Sequence, residues 1–200
     1  MSSALPRRLV HTRSICVQAY SRADGLWDLE AGLTDTKAGD FKLATGVRPA
    51  GEPVHDMRLS VTIDSQMNVI DASARSLRVP YPGHCDAIEP AYARLVGLNL
   101  LRDFRQRLRE RLGGISGCSH LTELATVLPT AAVQAFAGEV FKTQDKSQEL
   151  AGPAKRPWQL DRCHALKSDG PAVAEFYPRW YRGDQAPRTL QDAVSPKAPQ

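Results

Sequence analysis

From Met57 to Asp64 the chain alternates strictly, with Met57, Leu59, Val61 and Ile63 set against Arg58, Ser60, Thr62 and Asp64. A period of two belongs to a strand with one buried face, so these residues predict a half-buried strand. Asp64-Ser65-Gln66 supplies turn chemistry, and Met67 to Leu77, with Val69 and Ile70 at its apolar centre, follows as the next strand. Upstream, Arg13 to Tyr20 and Leu26 to Leu33 are compatible with strand, and Ala23-Asp24-Gly25 between them is a hairpin turn signal. The four segments predict an antiparallel meander. A Gly- and Pro-rich loop from Ala38 to Pro53 separates its two halves.

The pattern changes at "RVPYPGHCDAIEP", where three prolines and a glycine exclude regular structure and leave a loop carrying His84 and Cys85. Beyond it the period is helical. Ala91 to Val96 predicts a short helix, and Leu101, Phe104, Leu108 and Leu112 share one face of another that stops at Gly113-Gly114. Leu121, Leu124, Ala125, Leu128, Ala132, Ala135 and Phe136 form a longer stripe, with Ser119 as N-cap and Pro129 as a kink or break. Lys142 to Trp158 reads as a polar linker, and "WQLDRCHALKSDGPAVAEFYPRWY" as a hairpin around Ser168-Asp169-Gly170. The expectation is one α+β domain over residues 1–182, strand-rich at 7–79, helical at 86–141 and closed by a hairpin at 158–182. Residues 183–200, proline-rich and poor in apolar groups, read as a disordered tail.

A chain 42% hydrophobic and 24% charged supports a single packed core rather than a disordered chain. No window approaches a membrane span, and "MSSALPRRLVHTRSICVQAY" lacks the apolar run of a secretory signal, so a cytoplasmic location and no membrane are expected. In that compartment Cys16, Cys85, Cys118 and Cys163 read as thiols, metal ligands or redox residues rather than a disulfide frame. A net charge of +4 allows a protein partner of acidic surface without calling for nucleic acid. The five arginines of "LRDFRQRLRERLGG" are interleaved with leucines and read as the solvated face of an amphipathic helix.

Three of the four cysteines have a histidine within two positions: Cys85 beside His84, Cys118 near His120, and Cys163 beside His164. Each pair sits in a predicted loop or at an element start, where ligands and catalytic groups are commonly presented. Thiolate and imidazole are the donors of zinc and iron–sulfur sites, and Cys85, Cys118, His120 and Cys163, with His164 in exchange for Cys163, would make one set if their segments converge. Cys118 carries a separate argument, because a helix N-terminus favours the thiolate needed for ligation or attack. Its plain alternative is a small apolar residue beside a histidine that caps the helix. His120 as base to a nucleophilic Cys118 runs against helix geometry, in which residues two apart diverge. His55-Asp56 could supply a ligand or an acid–base pair; Cys16, at a strand position, reads as core. The polar run Leu33-Thr34-Asp35-Thr36-Lys37 reads as turn and edge chemistry.

The motifs "PRRLVHTRSI", "DGLWDLEAGLTDTK", "AGEPVHDM", "YPGHC", "YARLVG", "GGISGCSHLTEL" and "DRCHAL", in this order from about Pro6 to Tyr181, resemble a bacterial domain-of-unknown-function family, number twenty-eight eighty-nine. The resemblance implies one cytoplasmic domain and assigns no activity. The order of strands, Cys85 loop, Leu-Val-Gly step and Cys/His pair opening a long helix is also similar to iron–sulfur scaffold proteins of the NifU-like kind. That similarity would make Cys85 the loop ligand and Cys118 with His120 the later ones. It departs where the scaffold has His-Cys and this chain has Cys-x-His, in the missing paired glycines, and at Cys163, which has no counterpart.

The leading expectation is therefore a zinc- or iron–sulfur-binding accessory or assembly protein. Two alternatives stand beside it: an enzyme with Cys118 as nucleophile, and a non-catalytic interaction or small-ligand-binding module.

Overall fold

The computed structural model describes residues 5–141 and 156–183. The chain divides into two compact units, Met1–Phe141 and Lys142–Gln200. The fold is α+β, and the first unit is built on a four-stranded antiparallel sheet of His11–Ser21 (β1), Trp27–Lys37 (β2), Pro53–Ile63 (β5) and Val69–Arg78 (β6), in the order β1-β2-β5-β6. Phe41–Leu43 (β3) and Gly46–Arg48 (β4) form a small separate hairpin within the stretch read as a loop.

The alternation works as predicted. Leu29, Ala31 and Leu33 on β2 and Met57, Leu59, Val61 and Ile63 on β5 are all buried, and the helices cover that face. Phe104–Leu112 (α1) presents Phe104, Leu108 and Leu112 to the core. Ser119–Phe136 (α2) packs against β1, β2 and β5 through Leu121, Leu124, Ala125, Leu128, Ala132 and Phe136. A 3-10 helix over Asp86–Leu95 packs on β6 and contributes Tyr92 and Leu95.

Four local readings change. β2 does not end at Leu33: hydrogen bonding to β1 and β5 on its two sides carries it through the polar residues to Lys37. Met67 is a turn residue with φ of 67°, because the Asp64 carboxylate accepts the N–H groups of Gln66 and Asn68 and tightens the chain, so β6 begins at Val69. α2 runs unbroken through Pro129, since the buried stripe on both sides holds it to the sheet against the lost backbone bond. Its N-cap is Cys118 and not Ser119.

In the second unit the described residues fold without the predicted hairpin. They form 3-10 turns at His164–Leu166 and Pro178–Trp180 and a short helix, Pro171–Phe176 (α3). Asp161 accepts the backbone N–H and hydroxyl of Ser168, which holds the turn, and Pro171, with φ already set for a first helical turn, sends the chain into α3. The tail at 184–200 and the linker at 142–155 lie outside the described residues. Among the described residues no helix is long and apolar enough to cross a membrane.

Candidate active site

The inward-facing rows of the sheet turn polar at one end. The row Leu29, Ala31, Leu33 continues to Asp35, the row from Ile63 back to Met57 continues to His55, and β1 presents Arg13 and His11 in the same phase. Register makes them neighbours, because Asp35 lies directly opposite Arg13 on one side and His55 on the other. The Asp35 side chain is 5% exposed. Burying a carboxylate requires that its oxygens be paired, and here they are. Oδ1 accepts from His11 Nε2 at 2.8 Å and Arg13 Nε at 2.8 Å, and Oδ2 from Arg13 Nη2 at 2.8 Å and His55 Nδ1 at 3.1 Å. Arg13 also reaches Glu123 on α2, which ties the helix to the cluster.

The N-terminus of α2 closes over this end. Two glycines let the chain approach it: a Cβ at Gly113 would meet the Arg109 carbonyl at 2.4 Å, and one at Gly117 the Leu112 carbonyl at 2.3 Å. Cys118 then takes an extended backbone, φ −102° and ψ 131°, just outside the helix. The Tyr92 hydroxyl accepts the Cys118 N–H at 2.9 Å and donates to the Cys118 carbonyl at 2.8 Å, fixing the helix start from below. Tyr92→Phe leaves the Cys118 N–H without its partner, the carbonyl keeping the Thr122 N–H, and is expected to cost about 1–3 kcal/mol, measured by urea denaturation. An unchanged midpoint would show that Tyr92 does not hold this turn.

Because Cys118 is not on the helix, the divergence expected between it and His120 does not apply. Cys118 Sγ lies 3.8 Å from His120 Nδ1, and His120 Nε2 lies 3.6 Å from Asp35 Oδ2, an ion-pair separation longer than a hydrogen bond. The His55 and His120 rings stand 3.8 Å apart between centroids.

Burial pushes the Cys118 thiol up, but the contact with His120 and the N–H groups of Leu121 and His120 outweigh it, leaving the thiol below its ordinary range. Burial likewise opposes ionisation of Asp35, and Arg13 and His11 overcome it, holding the carboxyl well below the usual carboxylate range. His55 is shifted down, first by burial and then by His120, against the opposing pull of Asp35. Both of the last two shifts make acid destabilising. A histidine lowered in the fold gives its full stability above its unfolded value, about 6.5, and loses it as the pH falls; Asp35 does the same below about 3.9. The melting temperature is expected to fall from pH 7 to 5, and His55→Gln to reduce that part of the fall. A fall of equal size in the variant would exclude His55 as its source.

A depression of about 440 Å³ adjoins the cluster, lined by His55, Cys118 and His120 on one side and by Tyr81, His84 and Cys85 among others. Thus Cys85, Cys118 and His120 line one depression, with Cys85 half-buried at the start of the 3-10 helix. Among the described residues, the group of three ligand-type side chains whose donor atoms lie within 4.8 Å of one another is Asp35, His55 and His120. Cys163 and His164 belong to the second unit, and Cys16 is exposed on β1 rather than in the core. Sequence reasoning named His55 and missed Asp35, Arg13 and His11. Strand parity was the available signal, since Asp35 falls on the buried phase of β2.

A model of the family described as protein of unknown function (DUF2889) matches residues 11–134. No curated protein and no solved structure matches the chain, and a likeness to NifU-like scaffolds is not shown.

Proposed function

The chain belongs to the DUF2889 family, and from that premise, which carries no activity, we propose that it is a cysteine-dependent enzyme acting on acyl-type carbonyl substrates. The observation that carries this reading is the line from Cys118 Sγ to His120 Nδ1 at 3.8 Å and, across the ring, from His120 Nε2 to Asp35 Oδ2 at 3.6 Å. A thiol, an imidazole and a carboxylate in that order are the parts of a nucleophile, its base and the group that orients the base.

In the reaction His120 Nδ1 takes the Cys118 proton and the thiolate sulfur bonds to the substrate carbonyl carbon. The positive end of the α2 dipole favours the negative charge that develops on the carbonyl oxygen. The bond from carbon to the leaving group breaks, and the proton held on His120 passes to that group. Water then attacks the thioester with His120 again as base, releasing the acid and restoring the thiol. Asp35, fixed by Arg13 and His11, faces Nε2 at 3.6 Å and its charge favours the charged imidazole. Met57, Val79, Ile88 and Ile115 on the wall of the depression suit an apolar acyl group.

Incubation with p-nitrophenyl esters and thioesters of aliphatic acids, followed by intact-protein and peptide mass spectrometry, tests this. An acyl adduct on Cys118 that is absent in Cys118→Ala supports the reading. Adducts spread over the exposed cysteines, or none with any donor, would sink it.

A zinc or iron–sulfur role on Cys85, Cys118 and His120 is a second reading, favoured by the three lining one depression, while Cys163, the fourth ligand expected from the sequence, belongs to the second unit. Metal and acid-labile sulfide in protein purified without oxygen, lost in Cys118→Ala, would promote it.

A further inference from the structure

We propose that Asp35, His55 and His120 also form a binding site for a divalent transition-metal ion of the zinc class, and that the ion and the thiol relay use His120 in mutually exclusive ways. The site itself rests on the carboxylate–imidazole geometry; only the exclusion rests on the thiol reading above.

The three side chains come from β2, β5 and the first turn of α2, elements packed on one core, so their donor atoms are presented together by rigid structure. Asp35 Oδ2 is 3.1 Å from His55 Nδ1 and 3.6 Å from His120 Nε2, and all three donors lie within 4.8 Å of one another. A tetrahedral ion with bonds of about 2.0–2.1 Å sets its ligands roughly 3.3–3.4 Å apart, so these separations bracket the required edge. Two imidazoles and one carboxylate are a borderline donor set that suits zinc and its neighbours and offers too few oxygens for calcium or magnesium.

Charge allows it. Arg13 would oppose a cation, but it is paired on one side with Asp35 and on the other with Glu123, so the three groups together carry one net negative charge. His11, hydrogen-bonded to the other Asp35 oxygen, orients the carboxylate as an outer partner of a metal ligand does. The ligands also reach solvent, since His55 and His120 line the open depression.

The consequence follows from the two nitrogens of one ring. An ion on Nε2 of His120 leaves Nδ1 bearing its proton, so the ring has no place for the proton of Cys118. Zinc would therefore hold the protein in an inactive form.

Equilibrium dialysis against zinc chloride, with the full chain and three variants, tests the site. The expected result is about one zinc per chain, retained in Cys118→Ser and weakened more than about tenfold in both His55→Ala and His55→Gln. The glutamine variant keeps a polar side chain beside Asp35, so a loss seen in both is not one of folding alone. Loss in Cys118→Ser would mean that the thiolate is a ligand and would overturn the site proposed, as would wild-type affinity in the His55 variants or no zinc bound to the wild type. None of these outcomes touches acylation of the metal-free protein, on which the enzyme reading stands.

Discussion

Alanine in place of His120 slows alkylation of Cys118 by iodoacetamide at pH 7 by at least about tenfold and moves its pH midpoint toward that of an ordinary thiol. The reasoning is that burial works against the Cys118 thiolate, and His120 is the first of the groups that reverse the balance. Each unit regained by the thiol removes about nine-tenths of the thiolate near neutrality. Acyl transfer falls further, by about 10²–10⁴, because the variant also lacks the group that returns a proton to the leaving group. His120→Gln keeps volume and a hydrogen bond and does not restore the rate, which separates proton transfer from support of the helix start. Equal alkylation rates in wild type and His120→Ala would show that the helix N-terminus alone governs the thiol.

Asp35→Asn is expected to be the most destabilising isosteric change in the cluster, costing about 3 kcal/mol in chemical denaturation at pH 7. The substitution keeps the shape and removes the charge that answers Arg13, His11 and His55, so a guanidinium and two rings are left with one neutral oxygen and an amide NH2 in place of two charged oxygens, in a largely buried place. The cost sits at the lower end for breaking a buried pair because the Arg13 side chain is 31% exposed and keeps Glu123. The pH dependence gives an internal check. Wild-type stability from Asp35 is full above about pH 3.9 and is lost progressively from there toward its much lower folded value, so the difference between the two proteins begins to narrow below about pH 3.9 and closes only in part by pH 3. A difference that persists undiminished at that pH would place the effect in packing rather than charge.

Much of this architecture follows from local pattern, and the site follows from pattern plus pairing. The alternation at Met57–Ile63 and the stripe from Leu121 to Phe136 found β5 and α2 because one buried face imposes its period on the sequence. The polar end of β2 was read as a turn because Thr34, Asp35, Thr36 and Lys37 have no local reason to be strand. Pairing with β1 and β5 supplies that reason, and pairing partners 20 to 24 positions away cannot be read from a window. Parity could have raised the question, since position 35 continues the buried row 29, 31, 33. The divergence expected of Cys118 and His120 assumes that both lie on the helix, whereas Cys118 has an extended backbone at the cap, and the two side chains meet. The long-range contact that fixes this cap is the Tyr92 hydroxyl on the Cys118 N–H and carbonyl, 26 positions away in sequence. At the C-terminal end the turn signal at Ser168-Asp169-Gly170 was sound, but its flanks lack alternation, and Pro171 opens a helix there.

Exposure favours Cys16 and Cys163 whereas activation favours Cys118, and this makes the decisive measurement a peptide-resolved time course of iodoacetamide labelling at pH 6.5. Cys16 and Cys163 are exposed, whereas Cys85 and Cys118 are half-buried. A thiol activated by His120 and the start of α2 is labelled first despite its burial, so Cys118 is predicted to lead and to lose its lead in His120→Ala. Cys16 or Cys163 labelled first, with Cys118 trailing in the wild type, would contradict the account.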